Sequence, residues 1–481
     1  MTVGRSLVLC PVLAALLTGC AADRHRAPPL DEIYSQAAQR IGPERNPVVV
    51  IPGILGSNLK DSETGTIVWG AFVYGVADPD LADGARLVAL PMGEGVPLSR
   101  LRDGVEPDGV LKSLEANVSL LVKITALEPY RGIIEALAAG RYVDRDIAQA
   151  TQRHVRGDGP VDYAGLHYTC FQFDYDWRRD VSENASRLHE LIQDAAELTR
   201  EARGGSESDP VKVDVVAHSM GGLVLRYYLM YGTQPLPEDG SLPPLTWTGA
   251  EHVEQAILVG TPNAGSVLAV KQLVEGVNYS PITPTYQPAV LGTMPAIFQL
   301  MTRNRHARVI DAQSGKPIDI YDAATWERYR WGLLDPGQDR YLQWLLPDVP
   351  DAPTRRRIAL DQLRKVLART DQLHRALDAP AEPPYGLNLR LVLGDAEPTA
   401  SVLAVNPDTG RLTIRETGPG DGTVTRASAL MDERLGGDWQ PRLRTPIRWS
   451  EVGFIPADHI ALTRHPIFVD GLLYTLLERP R

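Results

Sequence analysis

The sequence predicts an α/β fold with a mostly parallel central sheet, and three observations carry that prediction. Apolar, β-branched runs suited to fully buried strands recur at residues 48–51, 211–217 and 253–259. Stretches with helical spacing lie between or after them; over 181–198, Leu188, Leu191, Ile192 and Ala195 share one face. The resulting alternation of strand and helix is what connecting parallel strands requires. At about 150 residues per domain, 481 residues would make roughly three units, yet large α/β folds also grow by insertion into one core. A hydrophobic content of 43% and a charged content of 23% allow a sizeable core. The net charge of −11 argues against a nucleic-acid partner and against electrostatic adsorption to anionic lipid.

Residues 1–19 have one charge, Arg5, then an apolar stretch over 7–17 interrupted by Pro11, and close with Leu17-Thr18-Gly19 before Cys20. A charged start, a short apolar middle and a small-residue cleavage point make a secretory signal, too short to span a bilayer. The four residues ending at Cys20 resemble the lipobox of bacterial lipoproteins, in which the cysteine is lipidated and becomes the mature N-terminus. Two or more acyl chains anchor a protein stably, so the expectation is a chain exported and tethered to a bacterial membrane through Cys20. Ala21 stands where an aspartate would mark inner-membrane retention, which points to the outer membrane in a Gram-negative cell. Residues 20–46, polar and with Pro28 and Pro29, read as the tether. With Cys10 removed and Cys20 acylated, Cys170 has no intrachain partner, and Tyr168, Phe171 and Phe173 around it predict a buried structural thiol.

The body, 47–481, opens with Pro47-Val48-Val49-Val50-Ile51-Pro52-Gly53-Ile54-Leu55-Gly56-Ser57, a buried strand broken by Pro-Gly. A phosphate-binding loop would need Gly-Lys-Ser/Thr here, and Lys60 stands in no such setting. The turn instead suits a backbone that approaches a substrate closely, with the Ile54 N–H as donor. Residues 60–125 have weak periodicity and read as an irregular excursion. Next come a helix over 129–139, an aromatic-rich strand over 166–177 and the helix over 181–198.

Residues 211–231 read V-K-V-D-V-V-A-H-S-M-G-G-L-V-L-R-Y-Y-L-M-Y, a strand that turns abruptly into a helix with Leu223, Tyr227, Met230 and Tyr231 at helical spacing. Ser219 sits at the turn. Ala217 and Gly221, two positions to either side, are small, as the crossing backbones demand. This is the nucleophile elbow of α/β-hydrolases, with Ala where the commonest form has Gly. The strand at 253–259 follows, after which 267–384 leaves the alternation and includes an amphipathic helix over 358–377. That insert reads either as a cap over the site or as a small domain with its own core. The sheet resumes at 387–393. A hairpin over 402–414 turns at Asn406-Pro407-Asp408-Thr409-Gly410; Gly420-Asp421-Gly422 then presents an aspartate, and Asp458-His459 a histidine before a closing helix over 466–477.

A serine hydroxyl is a weak nucleophile that needs a base, and the base needs a third group to fix its tautomer. Ser219, Asp421 and His459 supply these roles in the chain order Ser, Asp, His, which α/β-hydrolases use. The N–H groups of Met220 and Ile54 would hold the oxyanion of the tetrahedral intermediate. Asp395, Asp458 and His465 compete for the acid and base roles, and the Gly-rich turn at Asp421 favours it over Asp395. His218 reads as a packing residue. No His-Glu-x-x-His, paired Cys-x-x-Cys or dinucleotide fingerprint occurs, so no metal and no cofactor is expected.

V-V-V-I-P-G-I-L-G-S at Val48 to Ser57, F-D-Y-D-W-R-R at Phe173 to Arg179, A-H-S-M-G-G at Ala217 to Gly222, G-T-P-N-A-G-S at Gly260 to Ser266, G-D-G-T-V at Gly420 to Val424 and D-H-I-A-L at Asp458 to Leu462, in this order, resemble the lecithin:cholesterol acyltransferase family of lipid-active α/β-hydrolases. The resemblance implies the same triad and oxyanion donors, a membrane-binding subdomain in the insert at about 58–128 and a cap or lid at 267–384. Animal members carry a disulfide-closed lid loop, for which this chain has no cysteine pair. The expected activity is transfer of an acyl group from a membrane glycerolipid through an acyl-serine to an alcohol or water, as an O-acyltransferase or phospholipase. A carboxylesterase for soluble esters, or a non-catalytic lipid-binding lipoprotein, are the competing readings.

Overall fold

The computed structural model describes residues 28–40, 45–72, 76–111, 115–119, 122–125, 130–146, 168–206, 208–278, 284–435 and 440–480. The segment expected to be a signal peptide, Cys20 and most of the expected tether lie outside these residues. Six strands build the central sheet: β1 Val48–Ile51, β2 Cys170–Gln172, β3 Val213–His218, β4 Val253–Val259, β5 Asn388–Gly394 and β6 Glu451–Ile455. Their order is β6-β5-β4-β3-β1-β2 and every neighbouring pair is parallel. This is the α/β-hydrolase fold. The chain direction across the sheet reverses at β1, whose neighbours are β2 and β3, and such a switch point leaves a crevice at the carboxyl ends of the strands.

Six helices matter for the site: α1 Arg131–Ala139, α2 Val181–Ala202, α3 Gly221–Tyr231, α4 Val267–Glu275, α5 Ala352–Leu377 and α6 Pro466–Leu477. A parallel sheet has to be covered on both faces. Alternate residues of β1 divide accordingly: Val49 and Ile51 join the core with α2 and α3, whereas Val48 and Val50 pack with Ile133 and Leu137 of α1 and Phe468 and Leu472 of α6. Helix α2 runs past the expected 181–198, starting where the Asp180 carboxylate accepts the Ser182 N–H at 2.7 Å. Helix α5 begins six residues before the expected 358 because Asp351 caps it at the Thr354 N–H (2.8 Å) and Pro353 suits its first turn.

Several expectations are corrected. The aromatic run is a strand only over β2, because at Asp174–Arg179 side chains take over from the sheet. Asp176 binds Arg178 through both carboxylate oxygens (2.9 and 2.8 Å) and Arg179 at 3.2 Å, and both arginines also pair with Asp103. Arg178, with no exposure at all, donates its remaining bonds to the carbonyls of Leu87 and Val88. The excursion after Ser57 is not irregular: it forms a sheet of Ile67–Trp69, Ser57–Asp61 and Val105–Val110 and a second of Ala71–Phe72, Glu115–Ser119 and Val122–Thr125. Residues 28–40, expected within the tether, lie against the body: Tyr34 is buried and its hydroxyl donates to Asp470 of α6 at 2.7 Å. The hairpin is longer than expected, pairing Glu397–Val405 with Leu412–Gly420. The segment 267–384 has no separate core, since Val270, Phe298, Trp326 and Leu363 belong to the same apolar cluster as β3 and α3.

Burial pushes the Asp176 carboxyl up, but Arg178 and Arg179 more than offset that and hold it below the usual carboxylate range. A depressed folded pKa means stability that is complete above the unfolded value and fades as pH falls through the folded one. Asp176→Asn is therefore expected to lower unfolding free energy at neutral pH by about 3–5 kcal/mol, because it breaks a buried ion pair with two arginines and leaves Asp103 to answer both. Urea midpoints measured from neutral pH to pH 3 will check this, with the difference between the two proteins shrinking toward the acid end.

Candidate active site

Strand β3 ends at His218 and helix α3 starts at Gly221, so two residues reverse the chain. Ser219 does so at φ 53°, a left-handed conformation rare for a residue with a side chain, and its N–H is held by the Val259 carbonyl of β4 at 2.8 Å. Gly221 is required by space, since a Cβ there would stand 2.4 Å from the Pro52 carbonyl oxygen. The fold thus presents the Ser219 hydroxyl at the switch-point crevice.

His459, in the loop after β6, places Nε2 3.0 Å from Ser219 Oγ and Nδ1 2.7 Å from Asp421 Oδ2. All three side chains are nearly buried. Asp421 closes the long hairpin, and its other oxygen accepts the N–H groups of Thr423 (3.0 Å) and Val424 (2.7 Å). The His459 N–H donates to the Asp421 carbonyl at 2.9 Å, which ties the two loops together. Burial raises the Asp421 carboxyl, but the His459 bond and charge and the two backbone N–H groups outweigh it and hold it below the usual range. An ionised Asp421 keeps the proton on Nδ1, leaving the Nε2 lone pair toward the serine. The rival groups are occupied elsewhere: Asp395 pairs with Arg426 at 2.8 Å, Asp458 accepts the N–H groups of Ile460 and Ala461, and His465 caps α6.

Ile54 lines the same cavity as Ser219, and Met220 is the residue before α3, whose N-terminus favours negative charge. Among the described residues neither backbone N–H has a hydrogen-bond partner. The loop carrying Ile54 is held by groups that sequence reasoning did not place at the site. The Tyr130 hydroxyl accepts the Gly53 N–H at 2.8 Å, and the Trp69 indole donates to the Leu55 carbonyl at 2.8 Å. Both are distant in sequence and belong to no motif. His218 also does more than pack: its Nε2 donates to the His459 carbonyl at 3.0 Å, and burial lowers its pKa to about 3, so it stays neutral and buttresses the His459 loop.

A cavity of about 360 Å³ opens over Ser219. Its walls are mostly apolar, with Trp69, Trp177, Leu268, Tyr286, Leu291 and Leu300 among them, and four of those come from the segment after β4. Ser219 and His459 supply polar groups to it, an arrangement suited to holding a hydrocarbon chain with an ester at its end. Gly53 lies directly against Ser219, since a Cβ on it would stand 2.7 Å from Ser219 Cβ and 3.3 Å from Oγ. Gly53→Ala is expected to slow phosphonylation of Ser219 by a fluorophosphonate about 10²-fold, the cost of a small displacement at such a site, with an unchanged circular dichroism spectrum.

Residues 167–302 match the family model described as lecithin:cholesterol acyltransferase. No curated protein matches the chain. Among solved structures, the crystal structure of the Tle4–Tli4 complex contains a chain 16% identical, with 90% of this chain and 98% of that one covered at a TM-score of 0.54. More distant are lipase 1 from Pelosinus fermentans (12% identity, 91% and 100% covered, TM-score 0.35) and EstA from Clostridium botulinum (15%, 92% and 89%, 0.34). The family match spans the elbow, β4 and the roof of the cavity, and it supports ester hydrolysis or acyl transfer on lipid. Over residues 167–302 this chain carries the lecithin:cholesterol acyltransferase family pattern, on an α/β-hydrolase fold.

Proposed function

We propose that the protein is a lipid-active serine acyl hydrolase and O-acyltransferase that takes an acyl chain from a membrane glycerolipid. The observation that carries this is the hydrogen-bonded chain Ser219–His459–Asp421 at the floor of an apolar cavity. Ser219 Oγ attacks the ester carbonyl carbon as its proton passes to His459 Nε2, and the Asp421 carboxylate stabilises the imidazolium. The N–H groups of Ile54 and Met220 hold the oxyanion. Collapse returns the proton from His459 to the leaving lipid alcohol and leaves an acyl-serine. A second alcohol, or water, gives its proton to His459 and takes the acyl group, so one intermediate serves both outcomes.

Anchoring through a lipidated Cys20 is part of the proposal and rests on Leu17-Thr18-Gly19-Cys20. A tether would hold the cavity near its bilayer substrate at high effective concentration. The insert at about 58–128 as a membrane-binding element and 267–384 as a lid belong to the same reading.

Bilayers containing acyl-labelled phospholipid and a long-chain alcohol or sterol test it, with free fatty acid and new ester followed together. Ser219→Ala is expected to lose about 10⁶-fold in rate. Asp421→Asn, which disturbs the His459 tautomer, is expected to lose about 10⁴-fold. New ester identifies the transferase and fatty acid alone the hydrolase. Cleavage of short soluble esters with intact bilayers untouched would favour the carboxylesterase, and absence of phosphonate labelling at Ser219 would favour a lipid-binding protein without catalysis.

A further inference from the structure

A second cavity, about 620 Å³, adjoins the first and shares Ser266 with it. Among the described residues its lining includes three arginines, Arg308, Arg426 and Arg434, against one carboxylate, Asp432. Two of the three cations are already answered. Arg434 grips both oxygens of Asp432 at 2.7–3.1 Å, and Arg426 pairs with Asp395 at 2.8 Å and lies over the Phe454 ring. Arg308 is not answered. Half-buried, its side chain makes no hydrogen bond and no ion pair with the described residues, and its backbone is fixed by the Leu403 N–H on its carbonyl at 2.9 Å. Burial lowers its pKa from the ordinary value, with the more distant Glu416 and Asp432 opposing. A guanidinium carries five donors and no acceptor, and withdrawing it from water without a partner is unfavourable. In a chain of net charge −11, the unpaired Arg308 in a cavity flanked by two further arginines suits an anionic ligand.

We propose that this cavity binds a phosphate ester, with Arg308 as its principal anchor. The planar guanidinium fork matches phosphate oxygens bidentately, and Arg426 and Arg434 add positive field at the flanks. The cavity volume is much larger than a lone carboxylate needs. Resting on the proposed function, the proposal extends to one molecule with its phosphate here and its acyl ester over Ser219, the two cavities having Ser266 in common. The same chemistry fits a free phosphate ester that occupies this cavity alone.

The test uses the full chain, Arg308→Gln, which keeps much of the stem, and Arg308→Lys, which keeps the charge but loses the fork. Calorimetric titration with glycerol 3-phosphate and inorganic phosphate is expected to show binding that weakens about 10- to 100-fold in Arg308→Gln and less in Arg308→Lys, with melting curves unchanged. In parallel, cleavage of phosphatidylglycerol vesicles and of neutral diacylglycerol is compared. A rise in KM for the phospholipid alone in Arg308→Gln assigns the site to the headgroup, whereas weakened phosphate binding with an unchanged lipid ratio assigns it to a free phosphate ester. Phosphate binding that depends on Arg308 while neither lipid is cleaved keeps this site and sinks the acyl-transfer reading. No phosphate binding by the unmodified chain, or equal binding after Arg308→Gln, overturns the proposal; should that variant fail to fold, undiminished binding by Arg308→Lys together with insensitivity to salt does so.

Discussion

The site depends on one close crossing, where the loop after β1 passes under the turn from β3 into α3. The Pro52 carbonyl fills the place a side chain at position 221 would take, and Gly53 lies against Ser219 itself. That contact leaves Ser219 in a conformation that costs on the order of 1–3 kcal/mol. The cost is met by surroundings that cannot relax, since α3 is buried along its whole length and the Ser219 N–H is tied to β4. Ser219 and the Ile54 loop are therefore positioned by the same packing, and a change that loosens one displaces the other.

Asp421 and His459 reach this crossing from far along the chain, and the structure fixes them by bonds between loops. Asp421 receives three donors from His459, Thr423 and Val424, so its carboxylate has little freedom to turn. His459 is held on both sides, by Asp421 through its ring and its N–H and by His218 through its carbonyl. His218 can serve because burial keeps it neutral; a charged imidazole there would repel the imidazolium that the proposed mechanism forms at His459.

What the sequence disclosed follows a physical line. Strand β3, the elbow and the Asp421 turn were legible because short-range chemistry defines them: β-branched runs, small residues at a crossing, glycines around an aspartate. The closing helix was legible for the same reason, its bounds set by Pro466 and by apolar spacing. The end of β2 was not, because the alternating aromatics Phe173, Tyr175 and Trp177 favour a strand, whereas Arg178 and Arg179, paired with Asp176 and Asp103, hold the chain in a turn. Tyr130 and Trp69 could not be read as site residues, since each acts on the Ile54 loop through one hydrogen bond across a long separation. The docking of Tyr34 on α6 joins residues 436 positions apart, beyond any local signal.

The cavity roof is tied to the Asp421 turn by more than proximity. Ser266 begins α4 as its cap, and its hydroxyl also donates to the Thr423 carbonyl at 3.0 Å, two residues from Asp421. Its N–H meets the Leu300 carbonyl, and Ser428 donates to the Gly265 carbonyl at 2.6 Å. The chain leaving β4 is thus clamped at once to the roof helix Pro295–Gln299 and to the turn that aims the acid. Such a clamp explains why a segment that departs from the strand and helix alternation shares the main core: the residues that shape the apolar cavity also hold the turn that carries the Asp421 carboxylate.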